Sequence, residues 1–463
     1  MYQYKGIEDT IAAIATPAGQ GGIGIVRISG KDAMAIASQM VRLRSNKRVQ
    51  DCASHTVHYG VVMDKAHVID EVLVTLMRGP KSYTGEDVVE ISGHGGMTVL
   101  RAVLQTILAA GARLAGPGEF TKRAFLNGRM DLTQAEAVID IIQAKTSNFL
   151  RQSQHQLKGE LSTKLNAIRE ELIKIYTMVE ALINFPEDGI DAQGRQQITA
   201  RIRLQEKEVD ALLASGQSGR LLKEGIRIVL CGKPNVGKSS LLNALLKQER
   251  AIVTDIAGTT RDVLEESAQI KGIPISLVDT AGILEPRDLI EKEAIARSHL
   301  YIKSADLVLL VLDQSRQLEA QDQLLIEQLK TAPVLLVINK MDLPSKLETS
   351  VPEKLFSQEH MVKVSALNAS SIQALEDKIV DIIAKGKNLD TDGILVNNIR
   401  HMKALEEAQK NLQDATRLMQ EETSLEFISE DIKSAINQLD AITGRNIDED
   451  LLDRIFSEFC IGK

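Results

Sequence analysis

The feature that most constrains this chain is Gly232-Lys233-Pro234-Asn235-Val236-Gly237-Lys238-Ser239, a match to GxxxxGK[ST] between the apolar run IRIVLC and the segment SLLNALL. A short, β-branched, nearly all-apolar run reads as a strand buried on both faces of a parallel sheet. Strand, glycine-rich turn and helix in that order make a phosphate cradle. Glycines let the backbone wrap the phosphates, whose charge is met by amide N–H groups and a helix N-terminus. In such a cradle Lys238 reaches the β and γ oxygens and the Ser239 hydroxyl ligates Mg²⁺. The plainer reading, a chance glycine-rich turn, loses weight in this strand–loop–helix setting.

Three further segments follow in the order a nucleotide-binding sheet requires. Asp279-Thr280-Ala281-Gly282 ends the apolar run ISLV. There Asp279 can hold Mg²⁺ through water, and the Gly282 amide can meet a γ-phosphate. Alone this DxxG is a common turn; behind a P-loop it reads as a nucleotide switch. Asn339-Lys340-Met341-Asp342 follows VLLVI. A carboxylate there accepts two hydrogen bonds from the ring N–H and exocyclic amine of guanine. Adenine offers neither donor, so it would leave the carboxylate unpaired, a costly mismatch. Ser365-Ala366, after VKV, would close over the base through backbone contacts. Between the first two motifs lies Thr254-Asp255-Ile256-Ala257-Gly258-Thr259-Thr260-Arg261-Asp262. A Thr in such a loop ligates Mg²⁺ only when the γ-phosphate is present, which makes the loop an order–disorder switch; the bland alternative is a surface loop with a chance Thr pair. The candidate nucleotide contacts are Asn235, Val236, Gly237, Lys238, Ser239 and Ser240, with Thr254 to Thr260, Asp279 to Gly282, Asn339 to Asp342 and Ser365 to Leu367.

At 463 residues the chain has room for about three domains of roughly 150 residues. Residues 1 to 118 mix short β-type runs (IGIVRIS, EVLVTLM, DVVEISG) with one helical stretch, MTVLRAVLQTILAAGARL, and end at the break Gly116-Pro117-Gly118. They predict an α+β domain. Residues 119 to 216 read as long helices, one opened by a capping box at Thr133-Gln134-Ala135-Glu136 and one, LSTKLNAIREELIKIYTMVEALI, stopped at Asn184-Phe185-Pro186. From 217 to 385, the runs IRIVLCG, ISLVDT, DLVLLVLD and PVLLVINK alternate with helical patterns, which predicts a doubly wound α/β domain. From 386 to 463 the helical pattern resumes, so the α/β domain is expected to be inserted into one discontinuous all-α domain. Aromatics are only 3% and Trp is absent, so the cores must be aliphatic.

A net charge of −8 argues against a broad basic nucleic-acid footprint, though a local basic face survives such an average. Cys52, Cys231 and Cys460 lie far apart and are odd in number, which fits neither a disulfide framework nor a zinc site. The first residues do not read as a signal peptide. No run approaches the ~18 apolar residues of a membrane span. A reducing, cytoplasmic location is the expectation.

The whole chain resembles the tRNA-modification GTPase family MnmE (TrmE), of the TrmE–Era class. Besides the nucleotide motifs, the matches are Ala15-Thr16-Pro17, Gly21-Gly22, Arg27-Ile28-Ser29-Gly30, Thr84-Gly85-Glu86-Asp87, Gly93-His94-Gly95-Gly96, Pro117-Gly118-Glu119-Phe120, Arg123-Ala124-Phe125-Leu126-Asn127, Gly258-Thr259-Thr260-Arg261-Asp262 and Phe459-Cys460-Ile461-Gly462-Lys463. The resemblance implies a folate-binding N-terminal domain that forms a homodimer, a helical domain and an inserted G domain. It implies work with the flavoprotein MnmG (GidA), in a heterotetramer, on the wobble uridine of certain tRNAs, adding an aminomethyl or carboxymethylaminomethyl group at carbon 5. The folate, 5-formyl- or 5,10-methylene-tetrahydrofolate, would meet Arg27, Glu90, Arg129 and Lys463. That set makes chemical sense: Arg and Lys suit glutamate carboxylates, and a carboxylate suits pterin donors. Cys460 would face the folate and enter the chemistry, or else pack as a small hydrophobe. Cys231 reads as core, and His94 as a binding or a turn residue.

Many small GTPases place a Gln after DxxG to orient the attacking water. Here Ile283 stands there and cannot polarise water. The resemblance supplies a substitute: K⁺ where an arginine finger would act, held by the Asn235 side chain and by loop oxygens of Thr254, Ile256 and Thr259. Mg²⁺ would be held by Ser239 and Thr260. Glu291 would position the water, with Glu293 its rival two residues on, and Lys238 would act on the phosphates. Leu284 stands where the family commonly has Arg, and Ala294 where it usually has Gly. The rival reading is a regulatory or ribosome-assembly GTPase switch without modification chemistry; a purely structural folate-binding scaffold is disfavoured by the complete nucleotide motif set.

Overall fold

In the computed structural model, residues 9–185, 192–248, 265–279, 301–330, 332–348, 356–384, 393–421 and 423–463 are described below. The chain divides into two compact units: Met1–Ile139 with Gln156–Glu206 and Glu407–Lys463, and Asp140–His155 with Lys207–Glu406.

The first unit holds a seven-stranded sheet: β1 (Ile11–Ile14), β2 (Ile23–Ser29), β3 (Val41–Leu43), β4 (Thr56–Asp64), β5 (His67–Met77), β6 (Val88–His94) and β7 (Arg113–Leu114). Their order is β3-β4-β5-β6-β2-β1-β7. Neighbours are antiparallel except β1 and β7. IGIVRIS is β2, EVLVTLM lies within β5, and DVVEISG overlaps β6. Alternation places Val26, Ile28, Val74 and Ile91 on a buried face, covered by Leu100, Val103 and Ile107 of the helix Met97–Ala109. Gly118 opens the helix Glu119–Leu126 at φ +63, where a Cβ would lie 2.6 Å from the Phe456 carbonyl oxygen. Glycine alone suits both constraints.

Long helices, Glu160–Asn184 and Leu425–Thr443, also belong to this unit. Asp440 binds Arg169 across them, and Glu180 accepts from the Ser429 hydroxyl. The helix Leu132–Gln143 begins two residues earlier than its sequence pattern suggested. Asp131, not Thr133, caps it: its Oδ1 accepts from the Gln134 amide, while the Gln134 Oε1 accepts from the Asp131 amide, both at 3.0 Å. Thr133 is instead fully buried, bonded to Asp131 and Ser162. A charged acceptor makes the stronger cap.

The second unit is built on β8 (Ile226–Cys231), β9 (Glu265–Ile270), β10 (Ile273–Asp279), β11 (Leu307–Asp313), β12 (Val334–Asn339) and β13 (Met361–Lys363). Their order is β13-β12-β11-β8-β10-β9, parallel throughout except the β9–β10 hairpin. Successive residues feed opposite cores. Ile228, Leu309 and Leu335 pack with Leu241 and Leu245 of the helix Lys238–Gln248 and with Ile372 and Leu375 of the helix Ala369–Ala384. Val229, Leu310 and Leu336 pack with Ile326 and Leu329 of the helix Ala320–Leu329. Both faces are covered, which is why these strands read as continuous apolar runs. Cys231 is a buried member of the second core, as expected.

Candidate functional site

The strands β8, β10, β11 and β12 end at Cys231, Asp279, Asp313 and Asn339, all at the carboxyl edge of the parallel sheet. The sheet grows in opposite directions from β8, through β11 on one side and β10 on the other. Ligands bind doubly wound sheets at such a reversal, beyond the carboxyl ends. The loop Gly232–Gly237 leaves β8 there and runs into the helix starting at Lys238.

Lys238 is buried, and its Nζ donates to the carbonyls of Gly232 and Lys233, both at 2.8 Å. The ammonium is thus held across the mouth of its own loop. Ser239 and Ser240, in the first turn of the helix, are exposed. Asn235 is exposed and in the left-handed region at φ +64.

Asn339 ties three loops together. Its Nδ2 donates to the Val236 carbonyl at 2.9 Å, and its Oδ1 accepts from the Ala366 amide at 3.3 Å. Next to it, the Lys340 Nζ donates to the Asn235 carbonyl at 2.9 Å and to Asp313 Oδ2 at 2.6 Å. Met341 and Asp342 are exposed beside the loop. Ser365 is buried; its amide donates to the Ser371 hydroxyl, which donates back to its carbonyl. Ala366 follows, and Leu367 is 89% exposed. The structure therefore gathers Asn235 to Ser240, Asn339 to Asp342 and Ser365 to Leu367 at one edge. Only the backbone of Asp279 is described, paired with Leu230. Thr254 to Thr260, Thr280 to Gly282, Ile283, Leu284, Glu291, Glu293 and Ala294 lie outside the described residues.

Two site residues carry no motif signal. Asp313 is buried; burial pushes its carboxyl up, but Lys340 and Ser315 outweigh this and hold it below the usual range. It anchors Lys340, yet an acid at a strand end looks like any turn. Ser371 sits inside a helix pattern.

Gly237 is a tight point. Its φ is +99, and a Cβ there would lie 2.2 Å from Asn339 Nδ2. Gly237→Ala is expected to break the Asn339–Val236 bond and to cost about 2 kcal/mol of domain stability from backbone strain. Thermal unfolding checks this: the variant should melt lower.

In the first unit, Arg27 and Glu90 face each other on β2 and β6, with Nε and Nη2 both 2.8 Å from Glu90 Oε1. The Arg27 guanidinium also donates to the Gly462 carbonyl at 3.0 Å and lies 5.5 Å from the ring centres of both Tyr83 and Phe120. The end of the chain is laced to the same place, Ile461 bridging to Pro117 and the Phe120 amide donating to the Lys463 carbonyl at 3.1 Å. Burial, then Arg27, push the Lys463 amine down. Tyr83 is pushed up by burial, with Arg27 and Arg129 acting against that. Arg27, Glu90 and Lys463 are thus brought together; Arg129 is exposed and within electrostatic reach of Tyr83. Cys460 is exposed. His94 ends β6 with an exposed ring, its Nδ1 2.6 Å from Asp70 Oδ1.

In the same unit several of these motifs meet in one ion network that the sequence did not reveal. Arg123 is 1% exposed; its Nη1 donates to the Asp9 carbonyl and to Glu86, and its Nη2 to Asp9 Oδ1 and Glu119. Ser29 donates to Glu86 at 2.7 Å.

Comparisons with known proteins agree with this architecture. The model of the MnmE helical domain matches residues 132–460. The model of the GTP-binding protein TrmE N-terminus matches residues 10–129. A tRNA modification GTPase MnmE of Desulforamulus reducens is 45% identical over 460 residues, covering 99% of this chain and 100% of the relative. One of Clostridioides difficile is 45% identical over 457 residues, covering the same shares. On this near end-to-end similarity, the chain belongs to the family of the tRNA modification GTPase MnmE.

Proposed function

We propose that the protein binds guanine nucleotide, hydrolyses GTP, and takes part in modifying the wobble uridine of certain tRNAs. The observation that carries the nucleotide part is the joining of the P-loop to the NKMD and SAL segments through Asn339, at the carboxyl edge of a parallel sheet; the tRNA part rests on the similarity to the tRNA modification GTPases MnmE. In this reading Lys238 meets the β- and γ-phosphate oxygens, Asp342 selects guanine, and Ala366 and Leu367 close over the base. Thr254 to Thr260 and Asp279 to Gly282 form the switches, and Glu291 positions the attacking water.

The donor chemistry suits the ions. Ser239 presents a hydroxyl in the first helical turn, beside the buried Lys238, for Mg²⁺; Thr260 would complete that site. The exposed amide of Asn235 is a hard oxygen donor for K⁺, with Thr254, Ile256 and Thr259 completing its shell. When bound, the two cations neutralise charge developing on the transferred phosphoryl group. GTP turnover is expected to be at least about tenfold faster in K⁺ than in Na⁺ at equal ionic strength, on the scale of one charged group's electrostatic contribution. Equal rates in the two salts count against the K⁺ assignment.

The cluster of Arg27, Glu90 and Lys463 suits a tetrahydrofolate derivative: two cationic groups for its carboxylates and a carboxylate for its pterin. Arg129 would add a further cation, and Cys460 lies exposed on the same segment. The partners in this reading are a second copy of the chain, MnmG and tRNA, in the cytoplasm. No helix among the described residues is long and apolar enough to cross a membrane.

The test is the nucleoside content of tRNA from a strain lacking the gene. Loss of the carbon-5 group on wobble uridines is the expected result. Unchanged wobble uridines favour the other reading, a regulatory or ribosome-assembly GTPase switch.

A further inference from the structure

The side chain of Lys233, second residue of the P-loop, runs to the helix Ala320–Leu329. Its Nζ lies 2.6 Å from Asp322 and 3.1 Å from Glu319. These two acids form a reciprocal cap at the start of that helix: the Glu319 side chain accepts from the Asp322 amide, and Asp322 accepts from the Glu319 amide at 3.0 Å. Asp322 is 4% exposed, so its charge is met by Lys233 rather than by water. Burial works against the ammonium of Lys233, but Asp322 and Glu319 together push its pKa up.

The main chain of Lys233 points the other way in effect. Its carbonyl accepts from the Lys238 Nζ at 2.8 Å. One residue therefore links the phosphate-binding lysine to a helix packed on the opposite face of the sheet from Leu241 and Leu245. Neither the GxxxxGK[ST] pattern nor the guanine motif calls for a cation at this place, since it is an unspecified position of the P-loop.

We infer that Lys233 is a positioning residue for the nucleotide: clamped by Asp322 and Glu319, it fixes the start of the P-loop so that Lys238 is already aimed where the β- and γ-phosphate oxygens arrive. This rests on the guanine-nucleotide reading of the site. Without the clamp, the loop spends less time in its binding form, and apparent affinity falls in proportion to that fraction. Bound nucleotide reassembles the loop, so the loss appears in KM and Kd and hardly in kcat.

The experiment is a titration of the full chain with methylanthraniloyl-GDP in Mg²⁺, together with steady-state GTP hydrolysis and thermal unfolding. Lys233→Met is expected to raise Kd for GDP and KM for GTP by about tenfold, the inverse of a tenfold drop in the binding-competent fraction. It should leave kcat within about twofold. Lys233→Arg, whose guanidinium spans two carboxylates, should recover most of the affinity. Lys233→Met combined with Asp322→Asn should bind no worse than Lys233→Met alone, because both remove one contact. Should Lys233→Met fail to fold, Glu319→Gln, at a side chain 65% exposed, keeps the test open by raising KM in the same pattern.

Normal affinity in Lys233→Met overturns the inference. So do a fall in kcat at unchanged KM, losses that simply add in the double variant, and unchanged KM in both Glu319→Gln and Asp322→Asn. If the unaltered protein fails to take up the labelled GDP, the guanine-nucleotide reading fails first, and the clamp with it.

Discussion

Lys238→Ala is expected to lower kcat/KM for GTP by about 10³-fold or more, the scale of losing a charged group at a developing oxyanion. The ammonium is not a loose surface charge. It is buried, and two carbonyls of its own loop hold it in place. A phosphate oxygen arriving there meets a cation whose ordering is already complete, so little reorganisation opposes the attraction. Alanine removes that charge and leaves the Gly232 and Lys233 carbonyls without their donor. Hydrolysis at GTP concentrations well below KM, with circular dichroism to check folding, measures the effect. A folded variant that turns over at near-normal rate contradicts the role given to Lys238.

Arg123→Met is expected to destabilise the first unit by about 3–5 kcal/mol, the cost of breaking a buried ion pair. For a unit of this size that corresponds to a melting temperature lower by about 10 °C. The side chains of Glu86 and Glu119, which share the Arg123 guanidinium, are only 17% and 13% exposed. Methionine fills similar space but leaves Glu86 short of a cation and Glu119 reliant on Arg113. The Arg123 Nε is buried with no hydrogen-bond partner among the described residues, so the site already carries some polar cost. Differential scanning calorimetry checks the prediction; an unchanged first transition means the network contributes nothing net.

These two residues also mark what the sequence could and could not reveal. The place of Lys238 was legible because its partners are local: a loop of fixed length runs from a strand into a helix. The strands β8, β10, β11 and β12 were legible for a similar reason, since burial on both faces forces uninterrupted apolar runs. Arg123 was not legible as a structural residue. Its partners Asp9 and Glu86 lie 114 and 37 positions away, and nothing local predicts such a contact. Without the structure, the resemblance alone marked Glu86, Glu119 and Arg123, and gave no reason for them.

Intermediate cases fail for identifiable reasons. The strand β4 reads TVHYGVVMD, where a glycine and a histidine interrupt the apolar alternation. Its register with β5 also shifts between Val62 and Met63, which breaks the period of two. The strand β13 has only three residues, too few for any period to register. The cap at Asp131 was misplaced by two residues because Thr133 and Glu136 also fit the capping pattern; burial of Thr133 against Ser162 decides between them. Asp313 and Lys233 gave no signal because their ion-pair partners, Lys340 and Asp322, lie far from them along the chain.

Equilibrium binding of purified protein to GDP and GTP against ADP and ATP, with Mg²⁺ present, tests the central claim most directly. Saturable uptake of both guanine nucleotides, with the adenine nucleotides at least about 10²-fold weaker, is the result expected when a carboxylate pairs with donors that adenine lacks. No saturable uptake, or a preference for ATP, would contradict it.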